Sequence, residues 1–189
     1  MYSLETNRLV LRPFKEKDVA FLDYLHSDMD VVRFTSGFTR SHQQNRGYIK
    51  IMLALYEQNL GHLLVIRKSD NTPIGRCGYS YFTRINDGNM DWFYWEGLEK
   101  PSKEGDASRF IELGYSFAKE YWGNGFATEA AFAVAEFGLY QLGMDAVHSL
   151  VDKRNTGSIK VAERIGAREA IDCMVHDRPA LRLINRKMD

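Results

Sequence analysis

Tyr121-Trp122-Gly123-Asn124-Gly125-Phe126-Ala127-Thr128-Glu129-Ala130 is the stretch on which the reading of this chain turns. It follows a strand-like run, Phe110 to Phe117, and opens an alanine-rich segment, Gly125 to Leu142, with Val134, Phe137 and Leu142 at helical spacing. Strand, glycine turn and helix in that order set bare backbone N–H groups beside the positive end of a helix dipole. Such a turn suits an anion, and phosphate best of all. The lysine and hydroxyl of a Walker loop are absent, which argues against nucleotide hydrolysis. A dinucleotide fingerprint would need a third glycine and an N-terminal strand, and neither is here. Taken alone, Gly-x-Gly also reads as a turn that merely ends a strand.

Working outward, Arg8-Leu9-Val10-Leu11-Arg12-Pro13 reads as a short first strand. The spacing of Val19, Phe21, Leu22 and Leu25 predicts a helix from about Lys15 to Met29. Ser41 is placed to cap a second helix running to about Asn59, with Ile49, Leu53 and Tyr56 on its stripe and Gly61 to end it. His62 to Lys68 and Ile74 to Phe82 read as strands around the turn Ser69-Asp70-Asn71-Thr72-Pro73. Ala146 to Val151 reads as a buried strand, Thr156 to Ile165 as a helix stopped by Gly166, and two strands close the chain. Interleaved strands and helices with short connections predict one α/β domain over residues 1–189. Residues 83–108 take no assignment and read as an insertion. They mix Trp92-Phe93-Tyr94-Trp95, a packing run or a substrate platform, with six acids and the bases Arg84, Lys100 and Lys103.

Composition narrows the class. At 189 residues, 44% hydrophobic and 26% charged, the chain is long enough for one sizeable core and is not a disordered sequence. A formal net charge of zero argues against direct nucleic-acid binding through bulk charge. No apolar run reaches the ~20 residues that span a bilayer, and no charged leader with an apolar run opens the sequence. Cys77 and Cys173 are too few for a disulfide scaffold and fit a reducing compartment, so the expected location is the cytoplasm. The five histidines show no ligand spacing, and no metal site is expected.

Four stretches together resemble the GNAT superfamily of N-acetyltransferases, in the Rim-type branch that acetylates ribosomal-protein N-termini. They are Thr6-Asn7-Arg8-Leu9-Val10-Leu11-Arg12, Asp28-Met29-Asp30-Val31-Val32-Arg33-Phe34, Glu112-Leu113-Gly114-Tyr115 through Ala130, and Asn155-Thr156-Gly157-Ser158-Ile159-Lys160-Val161 with Gly166-Ala167. The likeness covers most of the chain and lapses over 83–108. It implies an α+β domain with a mixed, splayed sheet of six to seven strands and about four helices. It also implies acetyl-coenzyme A as co-substrate and an amine acceptor, either a protein N-terminus or a small amine. The backbone N–H groups of Gly123, Asn124, Gly125, Phe126 and Ala127 would hold the pyrophosphate. Trp122 stands where the superfamily pattern has arginine or glutamine. Backbone groups near Phe117 and Ala118 would hold the pantetheine arm, and one N–H there would polarise the thioester carbonyl. Asn155 would touch the cofactor arm and Ser158 would face its sulfur. For these two the local alternatives are a turn residue and a first-turn helix residue.

Glu112 is the candidate general base. It shares a strand face with Gly114 and Ser116, and a carboxylate in an apolar strand needs a partner or a task. The alternative is a surface or salt-bridged glutamate. Two other functions use the same turn: a non-catalytic acyl-coenzyme A sensor or partner-binding module on this fold, and an unrelated phosphate-binding α/β domain. The sequence leaves the acceptor, and the choice of monomer or homodimer, open.

Overall fold

The computed structural model describes residues 2–96 and 101–187. Glu99 and Lys100, two of the charges counted in the 83–108 segment, lie outside them. The chain forms two compact units, Met1–Gly78 with Tyr115–Val134, and Tyr79–Gly114 with Ala135–Asp189. Among the described residues there are nine strands and five α-helices, more than the six to seven strands and four helices expected, in a mixed α/β arrangement.

The first unit begins with β1 (Leu4–Glu5) and β2 (Leu9–Pro13), then α1 (Val19–Ser27), α2 (Met29–Val32) and α3 (His42–Tyr56), followed by β3 (Gly61–Arg67). Ser41 caps α3 as its sequence position predicts, accepting from the Gln44 N–H while Gln44 reaches back to the Ser41 amide. Tyr48, Ile49, Met52, Leu55 and Tyr56 recur at three- and four-residue steps and are buried. β2 and β3 are antiparallel, pairing Leu9 with Arg67 and Pro13 with Leu63. The Tyr56 hydroxyl donates to the His62 carbonyl (2.5 Å) and accepts from the Phe14 N–H (3.0 Å), tying helix to sheet. Gly61 does not end the helix as expected. It opens β3 with φ at +102°, and a Cβ there would overlap the Tyr56 ring.

β4 (Thr72–Asn86) runs through both units, as does β6 (Asp106–Phe117), and α4 (Phe126–Glu136) follows the glycine turn. The second unit adds β5 (Asp91–Trp95), β7 (Ala146–Asp152), α5 (Thr156–Arg164), β8 (Glu169–Val175) and β9 (Arg178–Arg186). Its strands hydrogen-bond in the order β4-β5-β8-β9-β7, with β6 on the other side of β4. β5 is the strand that sequence reasoning missed. It pairs antiparallel with β4, Phe82 with Trp95 through Asn86 with Asp91, and parallel with β8. The 83–108 segment is therefore largely sheet. Phe93, Tyr94 and Trp95 are buried, so the aromatic run is packing and not an exposed platform. Among the described residues β6 and β7 share no ladder. One side-chain bond joins them, from the Ser149 hydroxyl to the Leu113 carbonyl (3.2 Å), which is the splay expected at this place.

Candidate active site

The glycine turn belongs to the first unit. Gly123 and Gly125 take φ of +76° and +78°, values that side chains rarely adopt, and Gly123, Asn124 and Gly125 are exposed. The first helical bond of α4 runs from the Glu129 N–H to the Gly125 carbonyl (3.0 Å). Upstream of it, no carbonyl or side chain among the described residues accepts from the amides of Gly123 through Ala127. They form a row of open donors at a helix start. The Asn124 side chain folds back onto the carbonyls of Tyr121 and Trp122, leaving its own amide outward-facing work.

The turn is braced by residues quoted in the sequence for their pattern but given no role there. Glu129 accepts from the Thr6 hydroxyl (2.5 Å), the Arg8 N–H (2.8 Å) and Arg8 Nε (2.6 Å). Burial alone would raise its carboxyl, but these bonds and the Arg8 charge outweigh it and hold Glu129 below its ordinary value. Arg8 then donates from Nη1 to the Asn124 carbonyl (3.0 Å) and lies 4.5 Å from the Phe126 ring centroid. A Cβ on Gly125 would meet Arg8 Nη2 at 3.5 Å, so a fixed positive charge stands beside the open amides. Only long-range pairing could have shown this, since Arg8 and Glu129 lie far apart in the chain.

At the end of β6 the structure narrows the backbone candidates. The Ala118 N–H donates to the Ile74 carbonyl (3.0 Å), and the Ala118 carbonyl accepts from the Tyr121 N–H (3.0 Å). Both polar groups of Ala118 are engaged. Successive N–H groups of a strand point to opposite edges, so the Phe117 N–H points away from β4. The Phe117 carbonyl takes the Trp122 indole N–H (2.8 Å), and the Trp122 residue is 44% exposed. Tryptophan at this position thus has a structural task that arginine or glutamine would not perform in the same way.

The other expected site residues lie in the second unit. Glu112 is buried on β6, 8% exposed. Asn155 caps α5, its Oδ1 accepting the Ser158 N–H (3.2 Å). This is the local turn role weighed for both residues, and Ser158 is half-buried. Among the described residues no three His, Cys, Asp or Glu side chains converge as metal ligands, and no helix is long and apolar enough to cross a membrane.

This arrangement of strand, open-amide turn and helix has close counterparts. A model of the acetyltransferase (GNAT) domain family matches residues 8–168. The chain belongs to the GNAT acetyltransferases. Among its relatives, the Bacillus subtilis protein YkkB is 30% identical over 166 residues, which cover 86% of this chain and 83% of that protein. An acetyltransferase from Agrobacterium tumefaciens has the same fold with a TM-score of 0.71 at 22% identity, over 99% of this chain and 95% of the other. A ribosomal L7/L12 α-N-protein acetyltransferase in complex with coenzyme A matches with a TM-score of 0.67 at 14% identity, over 99% and 98% of the two chains. Membership of the GNAT family makes acyl transfer the activity class to which the residues above have to be fitted.

Proposed function

We propose that this GNAT chain moves the acetyl group of acetyl-coenzyme A onto a primary amine by direct transfer within a ternary complex. The observation that carries the reading is the row of open amides from Gly123 to Ala127 beside Arg8, a receptor for a pyrophosphate. The Phe117 N–H supplies the oxyanion donor, since the Ala118 N–H is engaged. Glu112 takes the proton of the attacking amine, and Ser158 returns a proton to the departing thiolate, with Asn155 on the cofactor arm. In this step the amine nitrogen bonds to the carbonyl carbon, the carbon–sulfur bond breaks, coenzyme A leaves as the thiol, and the proton taken by Glu112 returns through solvent to the Ser158 hydroxyl.

An α-amine is the acceptor class we favour, in keeping with the Rim-type resemblance. With a pKa of about 8 it needs roughly 1.4 kcal/mol to become neutral at pH 7, against about 4.6 for a lysine near 10.4. One fold neighbour in complex with coenzyme A is an α-N-protein acetyltransferase, while another holds coenzyme A with ribostamycin. Gly125→Glu puts a side chain and a negative charge among the open amides. Calorimetry should then show coenzyme A binding weakened at least tenfold while far-ultraviolet dichroism stays native. Unchanged affinity in that folded variant would remove the reading. A sensor on the same fold would pass this test but release no thiol with any amine. In the enzyme, Glu112→Gln should lower turnover by about 10²–10⁴-fold at neutral pH, with partial recovery at higher pH.

A further inference from the structure

Four polar side chains that the sequence scatters meet around the Tyr48 ring of α3 in the first unit. Arg76 comes from β4, His62 from β3, His26 from α1 and Arg40 from the loop before α3. The Arg76 guanidinium lies 5.5 Å from the Tyr48 centroid and that of Arg40 lies 5.1 Å from it. Arg76 Nη1 is 3.1 Å from His62 Nδ1, the nitrogen that also accepts from the Tyr48 hydroxyl at 2.5 Å. The His26 ring meets Tyr48 edge-on, and its Nδ1 donates to Asn45 Oδ1 (2.7 Å).

What sets the cluster apart is its charge. Arg76 is 6% exposed, and no carboxylate among the described residues lies within ion-pair distance of it. Asp23, which borders the cluster, is engaged by Asn45 and His42. A guanidinium cannot shed its proton at any ordinary pH, so the charge stays. The neighbours yield instead. Burial, then Arg76 and Arg40, press His26 down to about 3 and hold His62 well below its ordinary value. Burial and then Arg76 also lower Arg40, to about 10. Buried charge without a counter-ion is costly, and a tyrosine face offsets only part of that cost. Among the described residues, Arg76 Nε and His26 Nε2 are buried atoms of the cluster with no hydrogen-bond partner.

We propose that this cluster binds a carboxylate or phosphate group, with the Nε edge of Arg76 as its anchor. The planar fork of a guanidinium matches either oxyanion, and a ligand with a hydroxyl donor also satisfies His26 Nε2. Arg76 stands two residues from Ile74, whose carbonyl holds the Ala118 amide. The group is either a free anion or, on the acetyl-transfer reading, part of the amine acceptor.

The test follows the melting temperature of the full chain, without acetyl-coenzyme A, on titration with inorganic phosphate and with succinate against sodium chloride at matched ionic strength. With at least one of the two, the wild type should show a saturating rise beyond any that Arg76→Met keeps from the glycine turn, and Arg76→Lys an affinity at least tenfold weaker. No saturating rise in the wild type overturns the proposal, whatever the variants do. An equal rise in Arg76→Met also overturns it, by placing the anion at the glycine turn. Both results leave the acetyl-transfer reading standing, because neither involves turnover. Thiol release in the wild type, with an amine that supports turnover, then separates the two sources. Inhibition by the bound anion competitive with the amine identifies the acceptor's own acidic group, and non-competitive inhibition identifies a free anion.

Discussion

Each unit packs arginines at least partly out of solvent, and each treats them differently. In the second unit Asp91 receives Arg84 (2.7 Å), Arg182 (3.3 Å) and Asn86 Nδ2 (2.8 Å). Burial would raise the Asp91 carboxyl, but the bonds from Arg84 and Asn86 and the two arginine charges outweigh it and hold it below its ordinary value. In the same unit the tilted rings of Phe93 and Phe110 have centroids 4.6 Å apart, and those of Phe110 and His148 4.9 Å apart. In the first unit Arg76 has a tyrosine face and a neutral imidazole where Arg84 and Arg182 have a carboxylate. Here one carboxylate answers two guanidinium charges, whereas no carboxylate pairs with Arg76 among the described residues, the gap that the proposed ligand fills.

Acid should separate the two nodes most strongly. Folded His26 titrates at about 3, under the 6.5 of its ordinary value, so between those values the unfolded chain binds the extra proton. The stability it contributes is complete above 6.5 and declines as pH falls toward 3. From pH 6.5 to 4 the loss should be on the order of 3 kcal/mol from His26 alone. His62 shifts in the same direction. Urea midpoints taken through this range should fall less steeply in Arg76→Met, because one of the charges that repels the incoming proton is gone. A parallel fall in the two proteins would mean that Arg76 does not set the histidines' titration. The second unit contributes through His148, pressed down to about 4 by burial and then by Arg182 and Arg186. That part should be the same in Arg76→Met.

Asp91→Asn should have the next largest effect. It keeps the shape of the node and leaves Arg84 and Arg182 facing an amide. Both arginines are partly exposed, 35% and 17% for their side chains, so the loss should be about 2–3 kcal/mol and not the full value of a deeply buried pair. Urea unfolding at pH 7 measures it. A loss under about 0.5 kcal/mol would make the node ornamental and the contrast between the units empty.

The smallest effect should come from Arg76→Met in the absence of phosphate or carboxylate. Replacing an uncompensated buried charge by an apolar chain of similar length removes a desolvation cost along with a cation–π contact. Stability should change by no more than about 1 kcal/mol, or rise. A loss of about 3 kcal/mol would show that Arg76 is as much a structural residue as Asp91.

The sequence made the glycine turn and most strands legible because each is a local pattern. Gly-x-Gly between a strand and an alanine-rich helix announces a tight turn, which the positive φ of both glycines bears out, and Ser41 announces α3. β5 was hidden because Phe93, Tyr94 and Trp95 are all buried, which removes the in-and-out alternation that marks a half-exposed strand. Gly61 misled because a glycine after a helix usually ends it, whereas here the reason for glycine is the Tyr56 ring pressed against the start of β3. The Tyr48 cluster was beyond reach altogether. Its members come from four separate elements and a loop, and no spacing rule links residues that only the folded sheet brings together.

Trp122 has a practical consequence. An indole that donates to the Phe117 carbonyl while its residue is 44% exposed joins the strand end to the glycine turn and also faces solvent. The other two tryptophans, Trp92 and Trp95, lie on β5 in the second unit. The position that lost a charged or amide side chain thereby gained a chromophore, and the emission of this one residue makes the turn optically visible. Occupancy of the amides can be followed in the unlabelled protein as the difference from Trp122→Phe, in which only Trp92 and Trp95 emit.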